Sequence, residues 1–260
     1  MGAAATKKNI RKAVCLCATQ PPGHTHANHK TINTEIYKMY ENLLRLPYFQ
    51  GMSKDDITAI LDKVAFEFRN YSEGETICEQ GETCDKFVIL TQGTLNSSID
   101  APNEEYTVIE ECQAPLAIEP YSLFGQDTTF KRSYTAKSKC TTLVIDKQYL
   151  FTEFTKYQVF TINFLNLISR RAQMQSHAIW NYTPRSIKGR IVQFIGMRCN
   201  SIDGRKTVQI KMEQLADILC ETRLNISKAL NEMQDDGYIE LHRKEIAVPS
   251  LKRMIEEINS

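Results

Sequence analysis

Between Val64 and Ile145 the apolar residues recur at every second position in short runs, and glycines punctuate those runs at short intervals. Residues 65–69, 76–79, 86–90, 94–99, 106–109 and 140–145 all have this character, with Gly74, Gly81, Gly93 and Gly125 among them. A period of two sends alternate side chains to opposite faces, so each run is predicted to be a strand. Many short strands joined by glycine turns point to an antiparallel sandwich or barrel rather than a parallel sheet.

On either side of this region the period becomes helical. Ile36, Met39, Tyr40, Leu43 and Leu44 predict a helix over 34–46 that stops at Pro47. Ser53 followed by Asp55 and Asp56 reads as an N-cap with acids in the first turn of a short helix through Ile57, Ile60 and Leu61. From about Gln148 to Trp180 one long helix is expected. Leu165, Ala172 and Ile179 lie seven apart, with Ile162 and Ile168 on a neighbouring line. Such a stripe is longer than an average helix of about 11–12 residues and calls for a partner helix, here a second copy of the chain. Thr183-Pro184 then restarts the chain as an N-cap with proline at N1, leading Ile187, Ile191, Val192 and Ile195.

The last part carries the functional pattern. Leu215, Ala216 and Leu219 give a short amphipathic helix, a break follows at Cys220-Glu221, and Thr222 caps a second helix with Ile226, Ala229, Leu230 and Met233 on its buried face. Residues 238–241 and 245–248 form a hairpin with the basic tip His242, Arg243 and Lys244. Two helices across a tight turn and a following hairpin make a winged helix-turn-helix. Its second helix offers Thr222, Arg223, Leu224, Asn225, Ser227 and Lys228 near the end that enters a major groove. There Arg and Lys suit guanine, Asn suits adenine and Leu suits a thymine methyl. Arg243 and Lys244 would approach phosphates.

Charge supports this division. The chain of 260 residues has a formal net charge of only +1, but the charge is segregated. Residues 1–38 hold 6 basic and 1 acidic side chains, 39–180 hold 13 and 19, and 181–260 hold 13 and 11. No apolar stretch approaches the ~18 residues of a membrane span. The paired acids Glu104-Glu105 and Glu110-Glu111 read as solvated, and no P-loop, Gly-x-Ser-x-Gly or His-Glu-x-x-His motif suggests an enzyme. Eight cysteines in a chain able to bury its own core fit reduced thiols in the cytoplasm. Cys15, Cys17, His24, His26 and His29 crowd the basic leader and are of the types that bind metal. Their Cys-x-Cys spacing and apolar-poor surroundings fit a disordered segment better.

The whole resembles the Crp/Fnr family, named for the cyclic-AMP receptor protein and the fumarate-nitrate regulator. The likeness runs from about Leu43 to Val248 and rests on residues 43–53, 71–82 and 87–93, on Arg190-Ile191 after Gly189, and on the helix-turn-helix with its wing. It implies an α+β protein: an antiparallel β-roll of the cyclic-nucleotide-binding jelly-roll kind, a long dimerisation helix and a C-terminal winged helix-turn-helix. The divisions would be 1–35 as leader, 36–150 as effector-sensing roll, 151–181 as dimer helix and 182–260 as DNA-binding domain. The implied partners are a near-palindromic DNA duplex, a second copy, a small-molecule effector and, for an activator, RNA polymerase.

In the effector pocket the resemblance places Gly125, Gln126, Arg132 and Ser133, with Gln175 and Ser176 on the long helix. Arg132 and Ser133 stand where a cyclic phosphate would be held. Gln126 replaces the glutamate that binds the ribose, the loop before Arg132 is shortened, and Tyr134 replaces a small residue. These departures count against cyclic AMP. Haem or an iron–sulfur cluster is the alternative within the family, although the spacing of Cys15 and Cys17 with Cys112 or Cys140 does not match its cluster ligands. A cyclic-nucleotide module acting on a protein partner would account for the roll and leave the winged helix without a role. Many members carry Glu where Leu224 stands here, which implies a changed half-site at one base pair.

Overall fold

A computed structural model describes residues 41–258 apart from 42, 104, 181–183 and 185, with residues 174–180 described as backbone alone. The leader and its Cys/His group therefore lie outside the described residues, as do positions 34–40 of the first expected helix. Positions 41 and 43–45 are helical.

Helix α1 (Lys54–Leu61) begins with a reciprocal capping box, in which Ser53 Oγ accepts from the Asp56 amide and the Asp56 carboxylate accepts from the Ser53 amide. The roll follows as β1 (Phe66–Tyr71), β2 (Thr76–Cys78), β3 (Lys86–Gln92), β4 (Thr94–Asp100), β5 (Tyr106–Gln113), β6 (Leu116–Ile118), β7 (Ser133–Ala136) and β8 (Cys140–Asp146). All six runs read from the sequence form strands. Strands β6 and β7, of three and four residues, are additional to those runs.

One antiparallel sheet has the order β1-β8-β3-β6. Its inner face contributes Phe87, Ile89, Leu143 and Ile145 to a core completed by Leu95, Leu123 and Phe130. The long helical region is not continuous. Helix α2 (Lys147–Thr152) ends, a 3-10 turn spans Phe154–Lys156, and α3 (Gln158–Trp180) starts afresh. Phe154 accounts for the break, because its fully buried ring packs between Phe49, at 5.9 Å, and Phe160, at 4.9 Å, and draws the backbone into the core. Asn163 of α3 donates to the carbonyls of Tyr48 and Gln50, which ties the helix to the roll. On the same helix Ile162 and Leu165 are 57% and 58% exposed. Ala172 is also exposed, Ile168 is half-buried, and the Ile179 side chain lies outside the described residues.

The C-terminal half comprises α4 (Ile187–Gly196), β9 (Lys206–Ile210), α5 (Met212–Ile218), α6 (Arg223–Asp235), β10 (Glu240–His242), β11 (Glu245–Val248) and α7 (Leu251–Ile258). Strand β9 does more than complete the wing. It pairs with β11 on one side and with β5 of the roll on the other, giving a seven-stranded sheet β10-β11-β9-β5-β4-β7-β2 that runs through both halves. The second core accordingly mixes Ile191, Val208, Ile226 and Met233 with Val108, Ile99 and Tyr106 of the roll.

Gly93 joins β3 to β4 at φ +97°, and a Cβ there would stand 2.5 Å from the Lys139 carbonyl and 2.8 Å from Cys140 Sγ. Gly81, at φ +87°, has open space around it. Gly93→Ala is expected to cost about 3 kcal/mol and Gly81→Ala about 1 kcal/mol, because only the first adds a clash to the strain of a left-handed backbone. Urea unfolding midpoints of the two variants check the difference.

Candidate nucleic-acid interface and effector roll

The helix-turn-helix is built as its residue types require. Leu215, Ala216, Ile226, Ala229, Leu230 and Met233 are buried, and the small Ala216 sits among them where α5 and α6 pack together. Between the helices Cys220 takes φ +52°, the conformation that a glycine often supplies in this turn. Arg190 holds the turn from α4, donating to the Leu219 carbonyl at 2.9 Å and pairing with Glu221. The hydrogen bond from the Asn225 side chain and the Arg190 guanidinium keep the Glu221 carboxyl below the usual carboxylate range.

Thr222 caps α6 by accepting from the Asn225 amide at 3.2 Å. Past the cap, Arg223, Leu224, Asn225 and Lys228 are exposed, and Leu224 reaches 78%. Ser227 is half-buried on the flank of the helix. Arg223 pairs with Glu213 at 3.2 Å with both side chains more than two-thirds exposed. Such a pair is worth at most about 1 kcal/mol and is readily given up to a phosphate or a base. On the wing His242, Arg243 and Lys244 are exposed, and Lys244 takes φ +61° to close the hairpin. The structure thus gathers the residues selected from the sequence along α6 and adds a three-stranded wing beside them.

The residues selected for the effector pocket are not gathered in the same way. Gly125 and Gln126 are exposed on the loop after β6. Arg132 and Ser133 are consecutive in extended chain and point to opposite faces of the sheet. Ser133 Oγ accepts from the Gln80 amide at 3.0 Å, and the residue lines an open groove with Thr76, Glu79, Gln80, Asp100 and Thr135. Arg132 faces inward with its side chain only 4% exposed. The side chains of Gln175 and Ser176 lie outside the described residues.

Arg132 meets a carboxylate of its own chain. Its Nη1 stands 2.8 Å from Glu110 Oε1, an ion pair whose N–H is not aimed as a hydrogen bond, and its Nη2 donates to the carbonyl of Arg198. Glu110 is 1% exposed and sits directly opposite Lys206 in the β5–β9 register, with Lys206 Nζ 3.0 Å from Oε2. The Asn200 amide donates to Oε1 at 2.7 Å and the Ser201 amide to Oε2 at 3.2 Å. One carboxylate of the roll is therefore surrounded by two cations and two backbone donors, three of the four contributed by the C-terminal half.

Arg171 on α3 binds the same segment through the Asn200 carbonyl and side chain, and its guanidinium lies 5.3 Å from the centre of the Tyr121 ring. Removing one partner from a buried charge cluster of this kind costs about 3–5 kcal/mol, far more than the exposed pairs of α6 are worth. Burial, with Glu110 close by, pushes the thiols of Cys199 up to about 12 and Cys112 up to about 11, which keeps both neutral.

Glu110, Lys206 and Asn200 were not selected from the sequence. The reading of Glu110 as a solvated strand-end acid is corrected by its burial. The signal was the parity of β5, since Glu110 shares its face with Val108, and Lys206 likewise shares a face with Val208 and Ile210. Among the described residues, no group of three or more His, Cys, Asp or Glu side chains is placed to hold a metal ion, and no helix is long and apolar enough to cross a membrane.

Comparison with known proteins agrees with this layout. The cyclic nucleotide-binding domain model matches residues 68–157, and the Crp-like helix-turn-helix domain model matches residues 189–257. The chain is 20% identical over 227 residues to a CRP-like cAMP-activated global transcriptional regulator of Mycobacterium tuberculosis, an alignment covering 83% of this chain and 98% of the relative. Among solved structures it is similar to the catabolite activator protein of Thermus thermophilus, with 16% identity, 82% and 98% coverage of the two chains and a TM-score of 0.44. It is also similar to the sensor domain of the regulator DNR from Pseudomonas aeruginosa, with 13% identity, 57% and 99% coverage and a TM-score of 0.46. With a cyclic nucleotide-binding roll followed by a Crp-like helix-turn-helix, the chain belongs to the Crp/Fnr family of transcriptional regulators.

Proposed function

We propose that this protein is a homodimeric, sequence-specific regulator of transcription in the cytoplasm, controlled by an effector sensed in the roll. Residues 36–150 sense, 151–181 pair with a second copy, 182–260 bind DNA and 1–35 form a leader. The observation that carries the reading is the exposed start of α6, where Arg223, Leu224, Asn225 and Lys228 surround a capped helix end beside a basic wing. A helix presented in this way enters a major groove, and two of them about one DNA turn (~34 Å) apart read a near-palindrome.

The anchor for an effector is Arg132, the buried guanidinium on the inner face of the roll. The groove beside Ser133 opens on the other face, so an effector that contacts Arg132 has to enter between the roll and the DNA-binding half. Cyclic AMP fits this arrangement poorly, since Ser133 is turned away and Gln126 is exposed.

The DNA reading is tested on an operator obtained by selection from random duplexes. Lys228→Ala is expected to weaken binding about equally for all sequences and to reduce the salt slope by about 1. Arg223→Ala is expected to cost about 1–3 kcal/mol at the cognate site and to relax preference at one base pair. Unchanged affinity and slope in both variants would remove DNA binding from the proposal.

Leu224 has no acceptor to offer a cytosine amine and suits a thymine methyl. The selected half-site is therefore expected to differ from the usual family half-site at the base pair facing Leu224, and Leu224→Glu to shift the selection back towards it. Recovery of the usual half-site with Leu224 in place would refute this assignment.

Val159, Ile162 and Leu165 are exposed apolar residues of α3. Leu165→Asp is expected to shift sedimentation from dimer to monomer and to lower operator affinity by at least tenfold, since one half-site then binds alone. A dimer that persists in this variant would place the contact elsewhere.

A further inference from the structure

We propose that residues 198–205 together with β9 are a built-in occupant of the effector site, and that Glu110 is the latch that holds the DNA-binding half in that docked position. The inference concerns the regulation of the Arg132 site and rests on the reading of Arg132 as effector anchor. The docking itself can be measured without an effector or DNA.

Three observations converge on one place. Strand β9 adds to the edge of the roll through five register pairs, from Tyr106↔Ile210 to Glu110↔Lys206. The segment just before it crosses the inner face, where the Arg198 carbonyl takes a hydrogen bond from Arg132 and the Asn200 carbonyl takes one from Arg171. At the centre Glu110 supplies the negative charge that Arg132 and Lys206 require when buried.

The cluster is a complete anion site whose anion is a side chain. A ligand that engages Arg132 has to displace both the Arg198 carbonyl and the Glu110 carboxylate. Doing so removes charge compensation from Lys206 in the same step, so filling the site and releasing β9 are one event. Docking also has a steric limit, because Gly204 takes φ +79° and a Cβ there would stand 2.9 Å from the Glu111 carbonyl. The close approach of the two halves depends on a residue without a side chain.

The test is amide hydrogen exchange on the full-length protein. In the parent, β9 amides are expected to be protected like those of the roll. In Glu110→Ala and in Gly204→Ala, amides of residues 200–210 are expected to exchange at least tenfold faster, with β3 and β8 unchanged. Formate at matched ionic strength is expected to restore β9 protection in Glu110→Ala, by returning a carboxylate to the site, and not in Gly204→Ala.

Parent-like protection of β9 in both variants would overturn the latch. So would equal acceleration in β3, β8 and β9, which would make Glu110 a general stabiliser of the fold. Loss of operator binding in Arg223→Ala tests the DNA reading separately, and a failure there leaves the exchange result standing.

Discussion

A single carboxylate organises the relation between the two halves of this molecule. Glu110 lies on the inner face of β5, away from water, and its charge is tolerable there only because Arg132, Lys206 and two backbone amides converge on it. Three of those four donors arrive only when the DNA-binding half is in place. In a low-dielectric site such a cluster has few intermediate states, since each lost partner leaves a buried charge exposed to a large desolvation cost. The position of the recognition helix relative to the roll therefore depends on a discrete arrangement of charges, in addition to the linker after α3.

Apolar packing reinforces the same geometry. Tyr106 of β5 meets Phe194 of α4 at a ring distance of 5.3 Å, and Arg198 closes over both rings while donating to the Tyr106 hydroxyl at 2.7 Å. Val108 is buried, with Ile99 and Tyr106 beside it, in a core built mainly from the winged helix. Roll and winged helix thus share a sheet and a core. While docked they are expected to unfold as one cooperative unit, although each matches a separate domain model.

The elements legible in the sequence were those whose chemistry is local. The N-cap at Ser53, the Thr222 cap, the alternating strands and the apolar face of α6 follow from spacing and residue type, and each appears where its pattern predicted. The helix after Gln148 was legible in type but not in continuity, because the break at Glu153 comes from Phe154 packing against Phe49, about a hundred positions away, as well as Phe160. The β5–β9 pairing joins residues about a hundred positions apart, and no local period announces such a contact. The site divides along the same line. The exposed face of α6 could be read from helix geometry alone, whereas the environment of Arg132 is set by residues 110, 198, 200 and 206 and becomes visible only in three dimensions.

The fused sheet has a consequence for any released state. Strand β5 has β4 on one side and β9 on the other, so withdrawal of β9 converts an interior strand into a bare edge. That edge would present open amides and carbonyls along residues 106–110, the stretch that β9 covers, in a segment that carries no proline. An uncovered edge of this kind is a template on which another chain can add a strand. The protein therefore has reason to keep its open form brief or to cover β5 with something else. A concentration-dependent tendency to associate, seen only when the winged helix has moved away, would be the physical signature of that exposure.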